Sequence, residues 1–182
     1  MISFPDDPLA AAYEDFATEI AASSYWADTM TEYGVGALTV LAPVHLQASA
    51  PASISDAQVH SILQTALANP ANAFPPPDAS TVYVLLIPNG TAATGPQGGS
   101  ACNGGFGGYH RSFDLPDGTA IAYAVIAECQ ANQAMTRTLA HELVEAATDP
   151  FIPKTPAYAG VGPIDLGFVV GTTLGSEVGD LC

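Results

Sequence analysis

Residues that can hold a cation or move a proton crowd one short stretch, His141-Glu142-Leu143-Val144-Glu145, which runs on to Asp149-Pro150. Positions four apart lie on one helix face about a turn from each other. His141 and Glu145 can therefore aim two ligand atoms at one point. Imidazole nitrogen and carboxylate oxygen are both ordinary zinc ligands. Glu142, beside the first of them, is placed to take a proton from a water polarised by the ion. The chemistry so implied is metal-assisted hydrolysis.

The charge pattern points the same way, independently of that spacing. Glu145 and Asp149 fall in the last turns of the helix, where the macrodipole is negative and an acid is disfavoured by about 0.3–1 kcal/mol. Acids four apart also repel. Leu143, Val144, Ala146 and Ala147 surround them and predict a buried helix, in which unpartnered acids are costly. A cation reverses the sign of each of these effects. The competing reading is a solvated acidic stripe. A hydrolytic zinc site takes three protein ligands and leaves one position for water. The tail Gly175-Ser176-Glu177-Val178-Gly179-Asp180-Leu181-Cys182 offers Glu177 or Asp180 as the third. Asp149 is either a ligand, a partner that orients His141, or a plain helix stop before Pro150. His110 enters a strand from a Gly-rich segment; it can polarise a substrate carbonyl or serve as a structural histidine. His45 and His60 read as structural.

The elements that must position these groups follow from periodicity. Leu9, Tyr13, Phe16, Ile20 and Trp26 mark a helix over Pro8 to Tyr33, with Gly34 as its C-cap. Leu38 to Leu46 predicts a buried strand. Ser55 caps a helix lined by Val59, Ile62, Leu63 and Leu67. Thr81 to Ile87 is continuously apolar and predicts a central strand covered on both faces. Asn89 to Gly108 is a long Gly-rich loop. Tyr109 to Phe113 and Ala120 to Ile126 form strands about the turn Pro116-Asp117-Gly118. Ala131 to Thr148 is the helix that carries the chemistry, stopped by Pro150. After Pro153 no long periodic segment remains, so the tail reads as an irregular wrap. Helices alternating with strands predict an α/β (α+β) layer fold in a single domain over 1–182.

Eighteen acids face only Arg111, Arg137 and Lys154, a formal charge of −15. That excludes binding to nucleic acid, which needs Lys and Arg against phosphate, and docking on anionic lipid. No apolar stretch reaches the ~20 residues of a membrane span. The opening Met1-Ile2-Ser3-Phe4-Pro5-Asp6-Asp7 lacks the basic and apolar regions of a signal peptide. Cys102 and Cys129 flank the expected hairpin and can pair, which leaves Cys182 over. No CxxC pair, no GxSxG elbow and no phosphate loop occurs.

Several of these segments resemble one family. They are His-Glu-Leu-Val-Glu-Ala-Ala-Thr-Asp-Pro-Phe (141–151), Ser-Glu-Val-Gly-Asp-Leu-Cys (176–182), Phe-Gly-Gly-Tyr-His (106–110) before Tyr-Ala-Val-Ile (123–126), and Tyr-Gly-Val-Gly (33–36). The family comprises secreted bacterial and fungal proteins of HExxE type, distantly related to plant phosphate-induced, EXORDIUM-like proteins and similar to zincin metallopeptidases around the helix. The resemblance implies a zincin-like mixed sheet and a secreted protein; a monomer is expected. It makes His141 and Glu145 metal ligands, with Glu177 or Asp180 completing the set and Glu142 as general base. Family members continue beyond the Asp-Leu-Cys segment, where a partner for Cys182 would lie. The expected function is a zinc-dependent peptidase acting on an extended peptide held beside His110. The alternative is a non-catalytic extracellular module whose zinc or calcium is structural.

Overall fold

The computed structural model describes residues 1–69, 74–102, 105–129 and 134–152. The apolar run after Thr81 forms strand β4 once the other strands are numbered in chain order: β1 (Ile2–Ser3), β2 (Val44–His45), β3 (Ser53–Ser55), β4 (Val82–Ile87), β5 (Ala92–Thr94), β6 (Gly108–Asp114) and β7 (Ala120–Ala127). A strand without alternation needs cover on both faces, and β4 has it. Val84 and Leu86 face one helical layer, while Tyr83, Leu85 and Ile87 face another.

β4 pairs in parallel with β7 on one side and with β1 on the other. β2 runs parallel to β1, and β6 pairs antiparallel with β7, so the five-stranded sheet has the order β2-β1-β4-β7-β6. The hairpin between β6 and β7 turns at Gly118, whose φ of 86° suits glycine. β3 and β5 form a separate parallel pair. The fold is therefore α/β with a mixed sheet, as the alternation of elements predicts. A disulfide between Cys102 and Cys129 fastens the loop before β6 to the end of β7.

The first helical segment is two helices rather than one: α1 (Ala10–Ala21) and α2 (Ser24–Thr31). Ser23 breaks the run because its extended backbone lets its Oγ accept from Trp26 N at 3.3 Å, a new N-cap. Both helices still point one face inward, through Tyr13, Ala17, Ile20, Trp26 and Met30. Gly34 sits at φ 70°, the expected cap conformation. Helix α3 (Asp56–Ala68) covers the opposite face with Val59 and Leu63, and Gln58 Oε1 accepts from Ser55 N at 2.8 Å to close its first turn.

The buried strand expected over Leu38 to Leu46 is not formed. Only Val44 and His45 pair, and none of residues 38–46 is buried. Its apolar side chains instead roof a cavity of about 580 Å³ over Trp26, Val84 and Ala147. β1 is two residues long and offers this segment little edge to pair with. Helix α4 (Ala134–Thr148) packs on the same face as α1, through Leu139, Leu143 and Val144. Residues 131–133 of the expected helix and the irregular tail from Pro153 lie outside the described residues.

Candidate metal centre

α4 is built from strong helix formers and ends where Pro150 forbids another turn. Asp149 N still donates to Glu145 O at 2.7 Å, which completes the last turn. The inward face carries Thr138 against Gly107 and Gly108 of the β6 approach, and two buried acids, Glu142 and Glu145, which are 4% and 3% exposed. The expectation of buried helix acids is thus met. β6 delivers their counterpart. His110 lies opposite Ala124 of β7, so both face α4, and the small Ala124 leaves room for the imidazole. Gly108, two residues earlier on the same face, leaves room for the carboxylate. A Cβ there would stand 2.8 Å from both Cγ and Oε1 of Glu142.

The donor atoms converge. His110 Nδ1 lies 3.3 Å from Glu145 Oε2 and 3.7 Å from Glu142 Oε2. His141 Nε2 lies 3.0 Å from Glu145 Oε1, so Glu145 bridges the two histidines. One atom each from His110, Glu142 and Glu145 fall within 4.8 Å of one another, and all three residues are buried. Ligand atoms about a tetrahedral zinc, at roughly 2.0–2.1 Å from it, stand roughly 3.3 Å apart. The two His110 separations are of that order, and they are equally those of a histidine–carboxylate ion pair.

The imidazole tautomer sharpens the point. His110 Nε2 is 3.2 Å from the Asp149 carbonyl oxygen, which can only accept, so Nε2 carries a proton and donates it. Nδ1 then turns its other valence toward two buried carboxylates. A lone pair there would face like-signed oxygens; a positive charge, proton or metal, must lie between them. Glu142 Oε2 and Glu145 Oε1 accept no hydrogen bond in good geometry among the described residues, the close histidine nitrogens notwithstanding. Carboxylate oxygens gathered this closely around imidazole nitrogen can hold a cation. The donor set of imidazole nitrogen and carboxylate oxygen fits zinc.

Electrostatics separate the two acids. Burial pushes the Glu142 carboxyl above its ordinary range, Glu145 adds to that, and His110 opposes it without prevailing. Burial also pushes Glu145 up, but His110 and His141 together outweigh it and hold that carboxyl below the usual range. The two carboxyls are thus shifted in opposite directions, a division that suits a ligand beside an acid–base group.

The expected residues are thus placed as follows. His141 and Glu145 meet across one helical turn, with the His141 side chain 34% exposed at the rim. His110 joins them, with Nδ1 3.3 Å from Glu145 Oε2, a contact that the reading from sequence did not include. The alternation of β6 was the available signal: Gly108 and His110 share a face. Asp149 is 2% exposed and contributes its main-chain oxygen to His110. Its carboxylate is not among the converging atoms and accepts no hydrogen bond among the described residues. Glu177 and Asp180 lie outside the described residues. His45 bonds Ser3 and His60 bonds Tyr123, as structural histidines do. Among the described residues, no helix is long and apolar enough to cross a membrane. Neither a protein-family model nor a curated protein nor a solved structure matches this chain.

Proposed function

We propose that this protein is a zinc-dependent hydrolase of peptide or related amide bonds. The observation that carries the reading is the convergence of His110 Nδ1, Glu145 and Glu142 in a buried site, with the two acids shifted in opposite directions. His110, Glu145 and His141 would hold the ion, and a tail acid, Glu177 or Asp180, is open to complete the set. A zinc ion bound there supplies Lewis-acid polarisation of the scissile carbonyl and of attacking water. Glu142 takes the proton of that water on its carboxylate and passes it to the leaving amine nitrogen. The Asp149 carbonyl holds the His110 proton on Nε2 and so keeps Nδ1 directed at the centre. β6 is an edge strand that pairs only with β7 among the described residues. An extended peptide added beside it would pass next to His110. The disulfide suits an oxidising compartment, in keeping with secretion.

One observation favours a second reading. Glu142 Oε2 is itself close enough to His110 to be a ligand. If it ligates, no base remains, and the site is a structural zinc or calcium centre in an extracellular binding module. Glu142→Gln decides between them. The hydrolase reading expects metal retained at about one equivalent, by mass spectrometry of the purified protein, with turnover lowered roughly 10²–10⁴-fold. Metal lost with Glu142→Gln would sink the hydrolase and leave the structural centre.

A further inference from the structure

Away from α4, three polar side chains meet where the parallel strands end. Glu128 directly follows β7, and its backbone N donates to Ile87 O at the end of β4 at 2.9 Å. Its side chain is 2% exposed and lies against the Asp7 carboxyl and the Asn89 backbone N–H, with neither carboxylate oxygen in a hydrogen bond of good geometry among the described residues. Asp7 follows β1. Its Oδ1 accepts from Leu9 N at 2.9 Å, while its buried Oδ2 has no partner among the described residues. The third is Tyr13 of α1, 1% exposed, whose hydroxyl is likewise buried without a partner among the described residues. Burial holds the Tyr13 proton more tightly than usual, and Glu128 and Asp7 add to that, which places the hydroxyl in the field of both acids.

The position is one where open α/β sheets collect ligands. The chain leaves β1 toward β2 on one side, and leaves β4 toward β7 and β6 on the other. The crevice beyond the C-terminal ends of such diverging strands is the usual binding site. Carboxylate and hydroxyl oxygens are hard donors, the set chosen by calcium rather than zinc. Two acids and a hydroxyl crowded into one buried volume, with no Lys or Arg ion-paired to them among the described residues, are stabilised by a positive charge between them, a cation or a shared proton.

We propose that Glu128, Asp7 and the Tyr13 hydroxyl form a second cation site, selective for a hard divalent ion of the calcium class, at the C-terminal ends of β1, β4 and β7. The site does not depend on the hydrolase reading, since it shares no residue with the His110 centre. Its charge comes from two carboxylates, so an ion there would also tie the start of α1 to the end of β7, next to the disulfide at Cys129.

The test is calorimetric titration of the full chain with calcium chloride, repeated on Glu128→Gln, on Asp7→Asn and on a His110→Ala/Glu145→Gln double variant. The near-isosteric Glu128→Gln and the more exposed Asp7→Asn guard against loss by misfolding, which circular dichroism checks. Expected is about one calcium equivalent, weakened roughly tenfold or more by either acid substitution and unchanged in the double variant. Binding that survives both acid substitutions, or that disappears in the double variant instead, overturns the site. So does the absence of calcium binding to folded wild-type protein, which would leave a proton shared between Glu128 and Asp7 as the sole occupant.

Discussion

Two neighbours on β6 look in opposite directions and meet opposite conditions. Tyr109 faces α3, where a half-buried network finds its partners internally. Its hydroxyl donates to Asp56 Oδ1 at 2.8 Å, and Tyr123 donates to the same oxygen at 2.6 Å. His60 reaches the Tyr123 hydroxyl at 2.8 Å, lies 3.5 Å from Asp56 Oδ2, and stacks on Phe113 at 4.3 Å. One acid there has several donors. His110 faces α4, where two carboxylates share the imidazole nitrogens of His110 and His141 and orphaned oxygens remain. Satisfied acids fix a structure; acids short of donors point to an ion.

The largest effect should come from His110→Ala. It removes a donor at the centre of the α4 face and should weaken zinc more than roughly a hundredfold, beyond the usual loss for outer partners. Competition with a chromogenic chelator reads this directly. Unchanged affinity would mean that His110 only supports the acids.

A smaller effect belongs to the α3 face. Asp56→Ala leaves the Tyr123 and Tyr109 hydroxyls without their acceptor and should cost about 1–3 kcal/mol of stability. Metal content should not change. Chemical denaturation with parallel metal analysis tests both halves. Loss of metal along with stability would break the contrast, because it would show that Tyr109 sets the position of His110 through β6.

The smallest effect concerns Glu128, which shares the α1 and α4 side of the sheet and is buried against another acid, Asp7, as the acids at the centre are buried against each other. Burial pushes its carboxyl up to about 8, with Asp7 adding to the shift. The unfolded chain releases this proton at an ordinary carboxyl pKa, so between that value and about 8 the folded state binds more protons. In calcium-free protein this contribution is therefore full at low pH and is lost as pH rises toward about 8. The effect is muted because Asp7 is partly open to solvent. Melting temperatures of wild type and Glu128→Gln between pH 5 and 9 should diverge with rising pH, the variant losing less. Parallel curves would remove Glu128 from the set of unsatisfied acids.

Much of this architecture is written locally. The run after Thr81, the Pro-Asp-Gly hairpin, the capped helix at Ser55 and the buried acids of α4 each carry a period or turn signal several residues long. His141 and Glu145 were legible as a pair because helical geometry alone brings them together. β1 and β2, at two residues each, have no period to read and exist only because a sheet edge accepts them. Apolar residues over Leu38 to Leu46 suggested a strand, yet hydrophobicity does not say whether a segment pairs or roofs a cavity. The third donor, His110, reaches Glu145 only because antiparallel pairing with β7 turns its face to α4. Glu128 and Asp7 meet only because β7 and β1 end on either side of β4. Sequence thus determined the helices, the longer strands and one pair of candidate ligands, since those depend on near neighbours. Tertiary structure decided which distant groups share a buried volume, because the cost of an unpartnered charge is a property of its surroundings rather than of its place in the chain.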